Sequence, residues 1–192
     1  MSVTPEKKQI AKYIADIFGG KASVFNYGDD NNISKIAILQ SVDSPCGGEV
    51  SYSTIGLSSY DIGLSVEDKP LRIEFVGASP AEYEQFGNII STCAFNVINS
   101  DYSCSPGTIY PNIVKMYYPE LNTKHILFVS PFLWDKDLET LHFEDKKLAW
   151  LQAIPISDTE FVYAQKHGSE ALEDLLEESD VDILDLNRPS VI

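Results

Sequence analysis

The side chains best suited to catalysis are few, and they form no recognised arrangement. The three histidines, His125, His142 and His167, fit neither H-x-x-x-H nor H-E-x-x-H, the spacings with which one helix presents two zinc ligands. Cys46 precedes two glycines that would expose its thiol on a turn, but no motif of a cysteine nucleophile surrounds it. The sequence also lacks G-x-S-x-G, a P-loop and G-x-G-x-x-G. We therefore expect no catalytic residue, no metal and no cofactor.

The cysteine count and the hydropathy point to the cytoplasm. Cys46, Cys93 and Cys104 are odd in number and show no C-x-x-C spacing, as expected for free thiols in a reducing compartment. Cys93 falls within an apolar helical stripe and is predicted to be part of the core. No apolar run approaches the ~20 residues of a membrane span, and the N-terminus has no signal-peptide pattern.

The charge of the chain limits the kinds of partner it can bind. The formal net charge is −15 over 192 residues. Bare nucleic acid is disfavoured as a ligand, because its phosphates need lysine and arginine. A strongly acidic protein is soluble and associates quickly with a basic partner, so solubility alone and partner binding both explain the charge.

The carboxylates are concentrated near the C-terminus, in "ALEDLLEESDVDILD". One interpretation is a solvated helix face, which is the usual role of a charge run. The other is a docking surface for a basic protein, with carboxylates in the place of substrate phosphates. The candidate partner-binding residues are Glu170, Glu173, Asp174, Glu177, Glu178 and Asp180.

Helix signals occur near both ends of the chain and in its middle. Thr4 before Pro5 is typical of a helix start, and two glycines at 19–20 are typical of its end. A second helix is predicted to open at Ser79 and Pro80, because a long apolar stripe follows them.

Two further helices are predicted in the C-terminal third. Ser157 and Glu160 form a capping-box pattern, and this helix should end at His167. Ser169 can cap a fourth helix, with leucines on one side and acids elsewhere. Residues 99–125 are predicted to be an irregular connection.

Short stretches rich in β-branched and aromatic residues are predicted to be strands. In "LRIEFVG", Arg72 and Glu74 alternate with apolar residues, which predicts a strand with one solvated face. The other predicted strands are "ASVFNY", "SKIAILQS", "EVSYSTIGLS", "HILFVSPFLW" and "AWLQAIPI". This order of elements predicts an α+β fold, in which residues 1–192 form a single domain with helices packed on a mixed, mostly antiparallel β-sheet.

The stretch from Trp150 to Ile192 resembles the end of a suppressor-of-fused (SUFU) domain in its bacterial form. The resembling features are "WLQAIPI", "SDTEF", "KHGSEALEDLL" and the closing "DLNRPSV", and upstream "STIGLSSYDI" and "IEFVGAS". The resemblance implies a SUFU-like fold and a binding module, not an enzyme. It is strongest to a Bacillus antitoxin of this family, an immunity protein paired with an LXG-type toxin that has a nuclease domain.

Three functional hypotheses remain. The first is an immunity protein that binds and neutralises a basic nuclease toxin stoichiometrically, without direct contact with nucleic acid or a membrane. The second is a regulatory scaffold that captures a peptide of a host protein by adding it to a sheet edge. The third, an enzyme with an unrecognised site, has no motif in its support.

The last residues, "DLNRPSVI", are predicted to be ordered rather than a loose tail. Ile183, Leu184 and Leu186 can dock on the core, and Pro189 favours an extended end. Arg188 is the only base among many acids there, and we expect it to pair with a carboxylate and anchor the tail.

Overall fold

One sheet organises the chain, and helices cover both of its faces. The computed structural model describes residues 4–31, 33–136 and 138–192, and the bounds that follow refer to these. The helices are α1 (Pro5–Phe18), α2 (Phe86–Ser100), α3 (Ile113–Tyr117), α4 (Asp158–His167) and α5 (Ser169–Glu178). The strands are β1 (Lys21–Gly28), β2 (Lys35–Val42), β3 (Glu49–Ile55), β4 (Ser65–Val66), β5 (Lys69–Pro80), β6 (Ile109–Tyr110), β7 (Thr123–Val129), β8 (Leu141–His142) and β9 (Lys147–Ser157).

The strand order is β1-β2-β3-β5-β9-β7-β6, with β4 paired to β5 and β8 paired to β9. Every pairing is antiparallel except that of β5 with β9, which is parallel and lies at the centre of the sheet. The predicted fold class, an α+β domain with a mixed and mostly antiparallel sheet, is confirmed.

The alternation of side chains along each strand assigns the helices to the two faces. Phe75 of β5 packs in the cluster that contains α2 and α3, whereas the next residue, Val76, packs in the cluster that contains α1. Trp150 and Ile154 of β9 are an even number of residues apart, so they lie on the same face of the strand. Trp150 packs in the cluster that contains α1, and Ile154 packs in the cluster that contains α4 and α5, so these three helices lie on one side of the sheet. The described chain is therefore a three-layer structure, with α2 and α3 on the other side.

The first helix is formed by local signals. The Thr4 side chain accepts a hydrogen bond from the Lys7 N–H, Pro5 is the first helical residue, and Gly19 ends the helix with φ of 63°. Three apolar residues, Ile10, Ile14 and Phe18, are buried on one stripe. The prediction for this helix is confirmed at both ends.

The second helix begins later than predicted. Ser79 and Pro80 are the last residues of β5, where they pair with Val50 and Glu49 of β3, and α2 starts at Phe86. Ser79 is fully buried in the sheet. The prediction was wrong because serine followed by proline is a helix start only where no neighbouring strand is available to continue the ladder.

The segment 99–125 is more regular than predicted. It contains β6, α3 and the first residues of β7. The β6 strand is short, and it forms the sheet edge opposite β1.

Candidate partner-binding surface

Helix α5 is positioned by a turn that requires glycine. Helix α4 ends at His167 as predicted, and Gly168 (φ 94°) is both its C-cap and the N-cap of α5. A positive φ of this kind favours glycine. Ser169, predicted as the cap, is instead the first residue of the helix. The chain reverses direction between α4 and α5 at a positive φ, which serine adopts poorly, so the cap is Gly168 and not Ser169.

The apolar side of α5 faces the sheet. Leu172 and Leu176 are buried in a cluster with Leu127 of β7 and Ile154 of β9. Because residues four apart lie on one face of a helix, the carboxylates of α5 lie off this buried face.

The outward side forms what we call the acidic surface, and the structure brings all the predicted partner-binding residues together on it. No ion pair among the described residues involves any of them. All are exposed except Glu173, which is half-buried. The acidic surface consists of Glu170, Glu173, Asp174, Glu177, Glu178 and Asp180.

The electrostatics of this surface are unfavourable for the isolated chain. Burial raises the pKa of Glu173 above its ordinary value, and the negative charges of Glu170 and Asp174 raise it further. A positive group placed beside Glu173 would relieve this repulsion. The two later acids of the run are engaged within the chain, because Asp182 accepts from the Leu184 N–H and Asp185 accepts from the Tyr83 hydroxyl at 2.8 Å.

Arg188 is buried in an ion pair that joins the last residues of the described chain to α4. Its two terminal nitrogens donate to the two carboxylate oxygens of Glu160, at 2.6 and 3.0 Å, and one also donates to the Pro155 carbonyl. Burial raises the pKa of Glu160, but the hydrogen bonds from Arg188 and from the Ser157 N–H, with the charge of Arg188, hold it below its ordinary value. The predicted capping box is present, so Glu160 caps α4 and pairs with Arg188 at once. The capping box already accounts for Glu160 in the sequence, so no local signal indicated that Glu160 would also pair with Arg188.

His125 and His167 both contact neighbouring side chains in the described part of the chain. His125 is buried, its Nδ1 accepts from the Asn112 N–H, and its Nε2 lies 2.9 Å from an Asp158 oxygen. Nε2 therefore carries the proton, and burial lowers the pKa of His125 while Asp158 opposes that shift. His167 stacks on Tyr163 at the end of α4.

Cys93 is buried in the core as predicted, and burial raises its pKa far above the ordinary value. Cys104 is also buried, and Cys46 is an exposed free thiol. Within the ranges that the structure describes, no three His, Cys, Asp or Glu side chains are grouped so as to hold a metal ion. No helix in those ranges is long and apolar enough to cross a bilayer.

Glu74 was predicted to face solvent, and that prediction was wrong. It is fully buried and accepts hydrogen bonds from three backbone N–H groups, those of Gly56, Leu57 and Ser58, and from the Thr54 and Ser58 hydroxyls. Burial raises the pKa of Glu74, and these hydrogen bonds oppose the shift. The carboxylate fixes the turn that follows β3. The alternation of "LRIEFVG" could not reveal this, because β5 is a central strand covered on both faces.

A second correction concerns the strand predicted over "HILFVSPFLW". Strand β7 ends at Val129, and Phe132 lies beyond it with 64% of its surface exposed. Pro131 was the available signal, because proline cannot donate to a central ladder and commonly marks a strand end.

The chain is similar over its full length to a bacterial immunity protein. It is 50% identical over 192 residues to the immunity protein YqcF of Bacillus subtilis (strain 168), and the match covers all of both chains. The predicted resemblance to a Bacillus immunity protein is confirmed.

Solved structures share the fold at low sequence identity. A putative SUFU homologue from Neisseria gonorrhoeae FA 1090 superposes with a TM-score of 0.77 at 18% identity, over 97% of each chain. A Sufu–Fu complex gives 0.67 at 13% identity, over 97% of this chain and 92% of that one. Drosophila Suppressor of Fused gives 0.60 at 13% identity, over 97% of this chain and 51% of the larger protein. The suppressor of fused protein (SUFU) family model matches residues 33–189. This chain belongs to the SUFU family.

Proposed function

We propose that this protein is an immunity protein, which binds a cognate toxin and neutralises it by stoichiometric protein–protein inhibition. The observation that carries the proposal is the 50% identity to an immunity protein over the whole of both chains. Inhibition of this kind needs no catalytic group, cofactor or metal in the inhibitor. The setting in which it acts is the cytoplasm of the cell that makes the toxin.

The acidic surface supports a more specific partner, a basic nuclease domain. A nuclease binds phosphates through lysine and arginine, so its substrate groove is positive. Carboxylates on α5 can occupy the places of the phosphates, and none of them is neutralised by an ion pair in the described part of the chain. We assign the partner to the LXG type with a C-terminal nuclease, on the resemblance set out above.

The alternative, a scaffold that captures a peptide by strand addition, has one observation in its favour. Strand β1 is a sheet edge of eight residues, and its side chains are almost all exposed. Val24 and Phe25 are 52% and 48% exposed there. A long exposed edge of this kind is a template for a further strand.

The deciding experiment tests the product of the gene next to the gene for this chain as the cognate toxin. We expect the two purified proteins to form a one-to-one complex on a sizing column and the nuclease activity to fall to zero at equimolar inhibitor. Nuclease activity that is unchanged at molar excess would overturn the immunity assignment. Binding without inhibition would favour the scaffold.

A further inference from the structure

A groove of about 510 Å³ lies between α5 and the sheet, directly below the acidic surface. Its floor is apolar and consists of Val129 of β7, Ile154 of β9 and Leu176 of α5, which are all at most 6% exposed. The side walls include Val181 and Ile183, in the segment that follows α5. The groove is large enough for more than one side chain of a partner.

One wall of the groove is an exposed aromatic side chain on a hydrogen-bonded backbone. Phe132 is 64% exposed. Its backbone N–H donates to the side-chain oxygen of Gln152 at 3.0 Å, and Gln152 is buried in β9. An anchored backbone lowers the cost of ordering this segment when a partner covers the ring. Aromatic side chains are enriched at the core of protein interfaces.

The rim of the groove has one sign of charge. Glu173, Glu177 and Asp180 line it, and no lysine, arginine or histidine among the described residues does. Glu173 is the half-buried carboxylate whose pKa is raised by burial and by its acidic neighbours. The groove therefore offers an apolar floor with uncompensated negative charge above it, which disfavours an anionic or nucleic-acid ligand.

We propose that this groove receives a basic segment of the toxin, with a bulky apolar side chain or the stem of an arginine on the floor and a cationic group against Glu173 and Glu177. Long basic side chains bury their aliphatic stems and keep their charge at the rim, which matches the layering of the groove. The inference rests on the proposed function and adds the place and chemistry of the contact.

The test separates contact in the groove from the general field of the acidic surface. Glu177 lines the groove, whereas Glu178 is the next residue on α5, is exposed and does not line it. Glu177→Lys and Glu178→Lys change the net charge equally. We expect Glu177→Lys to raise the Kd for the neighbouring gene's toxin domain by about thirtyfold or more, the size of a hot-spot effect, and Glu178→Lys to raise it several-fold less. Isothermal titration at physiological salt measures both.

A second matched pair tests the apolar wall. Phe132→Ser should weaken binding by a similar factor, whereas Phe25→Ser, at an exposed phenylalanine on the distant edge strand β1, should leave it unchanged. Equal melting temperatures establish that the variants fold.

The outcomes distinguish the inference from the proposed function. Equal weakening by Glu177→Lys and Glu178→Lys, with no effect of Phe132→Ser, would overturn the groove and leave the immunity assignment standing. An effect of Phe25→Ser without one of Phe132→Ser would move the contact to β1 and also overturn the groove. A wild-type protein that fails to bind the toxin would overturn both.

Discussion

The buried pair of Arg188 and Glu160 ties the C-terminal segment to α4, and the removal of one partner of such a pair should lower stability strongly. We expect Arg188→Leu to remove the cation that pairs with Glu160 in the described part of the chain, leaving a carboxylate with no exposed surface. The leucine also leaves the Pro155 and Pro189 carbonyls without the hydrogen bonds that Arg188 donates to them. The perturbation therefore leaves a charge buried rather than simply removing a contact.

The magnitude follows from the geometry of the pair. Each hydrogen bond to a charged group contributes about 1.5–3 kcal/mol, and Arg188 donates one to each oxygen of Glu160. The variant can lower its loss by protonating Glu160, and protonating a carboxyl of ordinary pKa 4.5 at pH 7 costs about 3.4 kcal/mol. We expect the free energy of unfolding to fall by about 3–4 kcal/mol at pH 7, within the range seen when one partner of a buried pair is removed.

The pH dependence identifies the cause. In the wild type the folded-state pKa of Glu160 is below 4.5, so its ionised form stabilises the fold above that pH, and the stabilisation is lost as the pH falls through the lowered value. In the variant burial acts without the cation and raises the pKa of Glu160. The difference in stability between wild type and variant should therefore shrink as the pH is lowered from 7 to about 4.5.

Urea unfolding at several pH values measures this difference. Arg72→Leu is the control, because Arg72 pairs with Asp61, whose side chain is 73% exposed, and its loss should be much smaller. A loss below about 1 kcal/mol for Arg188→Leu, or a difference that does not change with pH, would refute the reasoning.

Three further predictions concern the surface, the core and the unused nucleophiles. Four carboxylates of the acidic surface can be reversed to lysine together: Glu173, Asp174, Glu177 and Glu178. This change should slow association with the toxin and flatten the salt dependence of the on-rate, because salt screens such charges beyond about 8 Å. Stopped-flow mixing at two salt concentrations measures both quantities, and an unchanged on-rate and salt slope would show that this surface is not part of the interface. Glu74→Gln should lower the free energy of unfolding by about 2–3 kcal/mol, because an amide nitrogen would face buried hydrogen-bond donors. Urea unfolding measures this loss, and a variant as stable as the wild type would contradict the hydrogen-bond assignment. Cys46→Ala and His167→Ala should inhibit the toxin as well as the wild type does, since neither residue belongs to a catalytic arrangement; lost inhibition at an unchanged melting temperature would indicate chemistry at that residue.

Local signals determined much of the secondary structure. The cap at Thr4, the capping box of Ser157 and Glu160, and the end of α4 involve residues at most four apart, so the sequence by itself specified them. The acidic face of α5 was also predictable, because the spacing of its leucines assigns the carboxylates to the other side. The family could be identified from the order of motifs in the C-terminal third.

Tertiary structure decided the features that depend on residues far apart in sequence. Glu74 is buried because β5 is a central strand and the turn after β3 supplies donors to it. Arg188 finds Glu160 only when the last residues return to α4, 28 positions away. The groove under the acidic surface exists because α5, the end of β7 and the following loop meet there. Periodicity in the sequence indicates which face of a helix or strand is apolar. What covers that face is determined by the order of the strands and by the path of the chain back to earlier elements, and both depend on contacts between residues far apart in sequence.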